Sequence, residues 1–351
     1  MHHGCTLYDL AKELGLSVAT TSKALNGYKD VSEKTRARVL QMAKKLKYEP
    51  SIAAQSITTK RSFLIGIVLD DLVDGFMHPH FAEILQRFRE TIEAGGYQML
   101  FINNQHQEGK TLLQKCRHRG LDGVLVVSSS DTSQELCELM ESDIPLVVVA
   151  YEWEGCTSVL SDNRGGMALL VRYLWEKGHR KFAYISAPLC AKTGAAAQRY
   201  HGLMEAAQRF DIFLPQENIV FADSLTFLGG YRAQAALCAR EIQATVVMTA
   251  YDIMAVGAMS YLQEAGIAVP AGLSVTGFDD LPTDHLIFHK LTTVRQHRDQ
   301  IGKIAGAKLL EQMMQGTKIV APVCLPVTLV ERSSVQRIDH AENASPPGGP
   351  G

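Results

Sequence analysis

No apolar stretch in these 351 residues approaches the ~18 that a membrane helix needs; the longest, such as Leu64–Leu69 and Pro145–Tyr151, are strand-sized. The first residues, Met1-His2-His3-Gly4-Cys5, lack the charged and apolar regions of a signal peptide. Seven cysteines stand at 5, 116, 137, 156, 190, 238 and 324, an odd number with no close pair. That spacing excludes a CxxC metal site and argues against a secreted disulfide scaffold. Neither a GxGxxG, a P-loop nor a GxSxG elbow is present, and no nucleophile–base pair stands out. The chain is therefore expected to be cytoplasmic, to lack a cofactor or a metal, and not to be an enzyme. Its apolar content, 46%, suffices for two or three domains with real cores.

The formal charge of −2 hides an asymmetry. Residues 1–61 hold eleven basic and five acidic side chains, a net +6, while the other 290 carry −8. A basic head on a mildly acidic body points to a polyanion met by the head alone.

Residues 6–48 read as three helices. Thr6 caps the first, with Asp9 at the reciprocal N3 position, a short-armed capping box. Leu7, Leu10, Ala11 and Leu14 then form one apolar stripe. Gly15 permits the left-handed residue that ends this helix, and Ser17 caps the next only two residues later. That is helix-turn-helix spacing. The second helix, about Val18–Asn26, is short and polar on one side through Thr20, Thr21, Lys23 and Asn26. Ser32 with Glu33 opens a third, striped by Val39, Met42, Ala43 and Leu46. Tyr48-Glu49-Pro50-Ser51 is a stop. Ile52–Ile57 follows with barely two turns of helix, marginal alone in water, and reads as a segment that folds only against a partner.

At Thr6-Leu7-Tyr8-Asp9-Leu10-Ala11, Gly15-Leu16-Ser17-Val18-Ala19-Thr20-Thr21-Ser22-Lys23, Leu25-Asn26-Gly27, Val31-Ser32-Glu33-Lys34-Thr35-Arg36 and Leu46-Lys47-Tyr48-Glu49-Pro50, the sequence resembles the lactose-repressor (LacI/GalR) family of bacterial transcription regulators. The likeness runs over residues 6–335. It implies a homodimer on double-stranded operator DNA, with recognition helices in two major grooves and paired hinge helices in the minor groove between them. The residues it assigns to DNA are Thr6, Leu7, Tyr8, Ser17, Val18, Ala19, Thr20, Ser22, Lys23, Asn26, Ser32, Thr35, Ser51, Ala54 and Ile57. Val18 and Ala19 match positions that read bases. Lys23 stands where the family usually has Arg, and Ile57 where a leucine wedge is usual. Lysine donates to guanine O6/N7 without a rigid fork, and a β-branched wedge is shorter and stiffer.

From Phe63 onward, apolar runs alternate with amphipathic helices, the pattern of parallel, doubly wound sheets. Strands are expected at Phe63–Leu69, Tyr97–Ile102, Asp122–Val127, Pro145–Tyr151, Lys181–Ser186, Thr245–Ala250, Leu273–Phe278 and Val323–Val330. The fold class is α/β: an all-α helix-turn-helix head (1–50), a hinge (51–61) and a periplasmic-binding-protein-like core (62–338). The core divides into an N-subdomain, about 62–160 plus 291–320, and a C-subdomain, about 161–290 plus 321–338. Residues 339–351, ending Ser-Pro-Pro-Gly-Gly-Pro-Gly, are expected to be a disordered tail.

Two such halves place a ligand between them, at the carboxyl ends of strands. Asp70, Arg199 and Asp279 fall at strand or helix ends, where spacing alone more often means a surface ion or a helix cap. The resemblance singles out Arg199 and Asp279 as holding a small sugar or sugar-derived effector. It adds Phe81, Thr193 and Leu225, with Asp162 of the Asp162-Asn163 motif either structural or ligand-facing. Tyr251 occupies a place where relatives often carry Asn or Ser, and is either an aromatic platform or plain lining. Three constellations are set aside: Asp70-Asp71 with Asp74 lacks EF-hand spacing, His78 and His80 are expected on opposite faces of a strand, and His179 is expected to cap a helix end. A solute-binding protein for transport or sensing uses the same core, but it needs an export signal and has no use for the head.

Overall fold

The helices of the head form where caps and apolar spacing agree. In the computed structural model α1 spans Leu7–Leu14, α2 Val18–Leu25 and α3 Glu33–Lys45. Thr6 Oγ1 accepts from the Asp9 amide at 3.2 Å and Asp9 Oδ2 accepts from the Thr6 amide at 2.9 Å, closing the box. Gly15, at φ 64°, supplies the left-handed residue between α1 and α2. Leu10, Leu14, Ala24, Val31, Val39 and Ala43 make a core from all three helices. Thr21 departs from expectation. It is buried, its hydroxyl donating to Ser17 O at 3.0 Å, so the polar side of α2 excludes it.

The described residues are 5–25, 28, 30–48, 56, 59, 61–69, 79–102, 109–127, 134–189, 194–285 and 289–338, with backbone alone at 283 and 285. The expected hinge contacts Ser51, Ala54 and Ile57, the tail 339–351, and Asn26, Asp70, Asp71, Asp74, His78 and Thr193 lie outside them. The chain separates into two units, Met1–Phe63 and Leu64–Gly351.

The second unit has two parallel sheets. The first runs β11-β5-β4-β3-β1-β2, where β1 is Leu64–Leu69, β2 Gln98–Ile102, β3 Gly123–Val127, β4 Leu146–Val149, β5 Thr157–Ser161 and β11 Val323–Leu325. The second runs β7-β6-β8-β9, with β6 Phe182–Ser186, β7 Ile219–Phe221, β8 Val246–Thr249 and β9 Ser274–Thr276. Central strands such as GVLVV and LVVV are buried along their whole length because helices cover both faces.

Three elements escape periodicity. Strand β5, TSVLS, is mostly hydroxyl-bearing yet fully buried, since Thr157 Oγ1 donates to Ile319 O and Ser158 Oγ accepts from Trp153 N. Strand β7 is only three residues long. Helix Phe227–Ala239 opens on Gly229-Gly230, a pair that argues against helix by propensity. A Cβ at Gly230 would lie 2.1 Å from Met254 O, so this glycine is there for the close approach of helix Asp252–Glu264.

Two further expectations are corrected. The single strand Val323–Val330 is two: Val323–Leu325 pairs with β5 in the first sheet, and β12 (Thr328–Val330) runs antiparallel to β10 (Thr293–Arg295). β10 bridges onto the second half through Thr276–Thr292 and Asp279–Arg295. Hence 293–295 side with the C-terminal half and 323–325 with the N-terminal half, the reverse of the expected division. Helix Arg298–Gln315 does return to the first half, packing on helix Pro79–Ala94. Among the described residues the chain thus crosses between halves after Ser161, after Arg295 and after Leu325.

His179 caps the end of helix Asn163–Glu176 as expected, its backbone N–H donating to Leu174 O at 3.0 Å after the left-handed Gly178, and its side chain does more. It is fully buried, Nε2 3.1 Å from Gln336 O and Nδ1 2.9 Å from Thr245 Oγ1, tying the last described segment to the edge of β8. Burial lowers its pKa to about 4 from 6.5. Between those values the unfolded chain binds a proton that the native one refuses, so stability rises with pH across that window. The full shift corresponds to about 3 kcal/mol. Replacing His179 by Gln is expected to flatten the urea-unfolding free energy between pH 4 and 6.5; an unchanged pH slope refutes the assignment.

Candidate functional site

In the head, the residues expected to meet DNA fall on one kind of surface. Thr6, Tyr8, Ser17, Val18, Ala19, Lys23 and Ser32 are exposed; Leu7, Thr20, Ser22 and Thr35 are half-buried. The caps hold this surface in place: Ser17 Oγ accepts from Thr20 N at 3.0 Å and Ser32 Oγ from Thr35 N at 3.2 Å. Behind α2, Thr21 and Ala24 face the core, so the helix cannot rotate without exposing them. Lys23 Nζ lies 2.5 Å from Asp30 Oδ2, a contact that the sequence did not announce.

In the body, the ends of strands and helices from both halves converge on Arg199. This residue sits in helix Ala195–Arg209 and is only 1% exposed. Its guanidinium lies between two rings, 3.8 Å from the Phe278 centroid and 4.4 Å from that of Tyr251. Nε donates to Asn163 Oδ1 at 2.8 Å, and Nη1 to Ala250 O at 2.5 Å and Asp279 Oδ1 at 3.5 Å. A buried cation is tolerable only with this kind of enclosure by acceptors and ring faces. Tyr251 thus stacks on the protein's own arginine and lines the cavity.

Asp279 follows β9 at φ 143°, outside the ordinary range for a residue with a side chain. It is held there by its amide to Val294 O (2.9 Å) and by Gln296 Nε2 on Oδ1 (2.5 Å). His80 Nδ1 stands 3.7 Å from the same oxygen. Arg298 joins Asp279 O at 2.5 Å to Glu83 Oε2 at 2.6 Å, linking the second half to helix Pro79–Ala94 of the first. A cavity here is lined by His80, Phe81, Arg199, Leu225, Tyr251 and Gln296 among others. Phe81, Arg199, Leu225 and Tyr251 therefore come together as expected, with Asp279 bonded to their neighbours.

Asp162 has a structural role. Its Oδ1 caps helix Asn163–Glu176 by accepting from Gly165 N at 2.8 Å, and the adjacent Asn163 is the one that lines the cavity. His80 overturns the strand reading, in which two histidines two apart would moreover share a face rather than oppose one another. Pro79 occupies the first helical position, where its missing N–H costs nothing, and the helix aims His80 inward against Phe81 at 4.9 Å. Gln296 and Arg298 had no signal in the sequence, because their role follows from where the chain crosses between halves.

Beneath the cavity lies a buried ionic cluster. Burial pushes Asp280 up, but hydrogen bonds from Arg332 and from Arg295 (2.5 Å) outweigh it and leave its pKa lowered. Asp252, wholly buried, is raised well above the ordinary carboxylate value, by burial first and then by Asp284. Asp284 itself is pushed up to about 6, again chiefly by burial. Thr293 Oγ1 donates to Asp252 Oδ1 at 2.6 Å and the Leu281 amide to Oδ2 at 3.2 Å. Since the folded pKa of Asp284 exceeds 3.8, its contribution is complete below about pH 4 and is lost as pH rises through 6. Asp284→Asn removes this titration, so the variant is expected to gain on the order of 2–3 kcal/mol relative to the parent between pH 4 and 8. Parallel stability–pH curves for the two proteins would contradict it.

Comparison with known proteins agrees with this anatomy. Residues 6–51 match the bacterial regulatory proteins of the lacI family, and residues 171–335 a periplasmic binding protein-like domain. The HTH-type transcriptional repressor PurR of Proteus mirabilis (strain HI4320) is 31% identical over 340 residues, 94% of this chain and 96% of the relative. The Lac repressor dimer bound to operator and the anti-inducer ONPF superposes with a TM-score of 0.80 at 25% identity, over 95% of this chain and 99% of that one. The transcriptional regulator CelR–cellobiose complex gives 0.71 at 25% identity, over 94% and 99%. The chain belongs to the LacI family of bacterial regulatory proteins, a group of DNA-binding transcriptional regulators rather than enzymes.

Proposed function

We propose that this regulator is a cytoplasmic repressor that binds a pseudo-palindromic operator as a homodimer and is switched by a small sugar or sugar-derived effector. The head, 1–50, meets the major groove through the outer face of α2 and the starts of α1 and α3. Ser51, Ala54 and Ile57 of the 51–61 hinge meet the minor groove. Phe81, Arg199, Leu225, Tyr251 and Asp279, with Asp70 and Thr193, hold the effector. To these we add His80, Asn163 and Gln296.

The observation that carries this reading is Asp279. One carboxylate oxygen faces His80 of the first half, Arg199 of the second, and Gln296 on a crossing segment. A ligand that takes hydroxyl-to-carboxylate bonds at this oxygen changes the contacts between halves by the act of binding. The Lac repressor was solved as a dimer on operator and CelR with cellobiose, which supports operator, dimer and sugar class alike. No helix among the described residues is long and apolar enough to cross a membrane. An operator-DNA target supports the cytoplasmic reading.

A thermal-shift screen of sugars, sugar acids and sugar phosphates identifies the effector. Asp279→Asn should then lose roughly tenfold or more of the effector affinity, because partners left unsatisfied cost about 1–3 kcal/mol, while operator affinity without effector is retained. Unchanged effector affinity by calorimetry would place the site elsewhere. The head's +6, doubled in a dimer, neutralises on the order of 6–10 phosphates, so operator affinity should fall ~10³-fold or more between about 50 and 200 mM salt. A nearly flat salt profile would sink the electrostatic part of the reading.

A further inference from the structure

We propose that Asp30 is a positioning residue for base reading: its carboxylate holds the Lys23 ammonium at one point and leaves the remaining N–H bonds for acceptors on a base edge. This rests on the reading that the outer face of α2 enters the major groove.

Lys23 lies in the last turn of α2, and Asp30 lies seven residues on, past the turn toward α3. Their 2.5 Å contact is between half-exposed groups, at 49% and 55%. An exposed pair of this kind adds little to stability. The head is held instead by its apolar core and by the caps at Thr6, Ser17 and Ser32. The contact therefore does something other than fasten two helices.

The two partners are unequally anchored. Asp30 precedes Val31, which is packed in the core, and Ser32, which caps α3. Arg36 Nη2 donates to Tyr28 O at 2.8 Å and Nη1 to Glu33 at 2.9 Å, closing the same turn. The carboxylate thus stands on a fixed support. Lys23 reaches it on a flexible four-carbon stem. A guanidinium carries its donors in a rigid fork, whereas an ammonium is a point charge with three donors and no preferred direction. A fixed carboxylate supplies the missing direction. One N–H goes to Asp30, and two remain for acceptors such as guanine O6 and N7. The hydrogen bond to Asp30 raises the Lys23 pKa, and that to Lys23 lowers the Asp30 pKa, so both stay charged while they act.

The arrangement has a second consequence of opposite sign. A carboxylate on the DNA-facing side repels phosphates. Asp30 therefore weakens binding to every duplex while sharpening discrimination at one base pair per half-site. Simple repulsion gives only the first effect, and a purely structural role gives neither.

The test uses the full chain and an operator selected from random duplexes, with affinity measured by fluorescence anisotropy on every single-base-pair variant. Lys23→Ala identifies the base pair that Lys23 reads. Asp30→Asn is expected to raise affinity for random duplex and to lower discrimination at that one pair, each by roughly two- to fivefold, the scale of an exposed ion pair. Asp30→Glu restores most of the discrimination. In a Lys23→Arg background Asp30→Asn should change discrimination less. An equal gain on all duplexes with discrimination intact would make Asp30 a repulsive surface charge and overturn the proposal. Loss at every position with a lowered thermal midpoint would make it a fold residue, and overturn it likewise. A flat Lys23→Ala profile would instead remove the base reading itself, a failure recognisable without any Asp30 variant.

Discussion

A carboxylate taken out of water must be surrounded by donors or give up its charge, and the side chains around Asp279 cannot be supplied by one half of the body alone. Gln296 donates from the crossing that follows β10, Arg199 from a helix of the second half, and His80 stands at the start of a helix of the first. Arg298, on the same crossing, fixes the backbone of Asp279 while gripping Glu83 of the first half. The geometry of the cleft and the attachment of the halves are therefore one set of interactions. Removing any member leaves buried polar groups short of partners, a penalty larger than the net value of the bond lost.

On the proposed reading the effector sits at this junction, and that has a thermodynamic consequence. A ligand shifts the arrangement of the halves only by the difference between its affinities for the two states, commonly ~1–3 kcal/mol of coupling. On that reading, competition for the oxygens of Asp279 is a direct source of such a difference, because the atoms that join the halves also take the ligand. The layer beneath is built not to yield. Asp280 is gripped by Arg295 and Arg332, and Asp252 by Thr293 and the Leu281 amide.

The head was legible almost residue by residue, since caps, turn glycine and stripes are local signals: Thr6, Asp9, Gly15, Ser17 and Ser32 all act where their spacing puts them. The doubly wound core was legible from long apolar runs such as β3 and β4. What stayed hidden depends on partners distant in sequence. The hydroxyl-rich β5 is buried because Ile319 accepts from Thr157, and Gly229-Gly230 sits in a helix because another helix presses on it. His80 was misplaced for a local reason: two histidines two apart read as a strand, whereas Pro79 begins a helix. In the cleft, resemblance pointed to Arg199 and Asp279, but the side chains that bind them, Asn163, Gln296 and Arg298, follow only from the crossing of the chain between halves.

On the proposed reading, the head's DNA-facing residues share a feature that no single position reveals. Thr6 with Leu7 and Tyr8, Ser17 with Val18 and Ala19, and Ser32 with Thr35 all stand at helix starts. Each capping hydroxyl is already committed to an amide of its own first turn. The other amides of that turn have no partner within the helix, and the helix dipole makes the same end positive. Phosphate oxygens are the natural acceptors for such ends. The caps thus serve stability and binding in one geometry, by fixing the first turn so that its open amides face outward. Affinity then comes largely from backbone and charge, which every sequence of DNA satisfies. Discrimination is left to the few side chains that α2 projects beyond its first turn. Lys23 is the only charged one among them, so the definition of its position by the head sets how finely this protein reads its site.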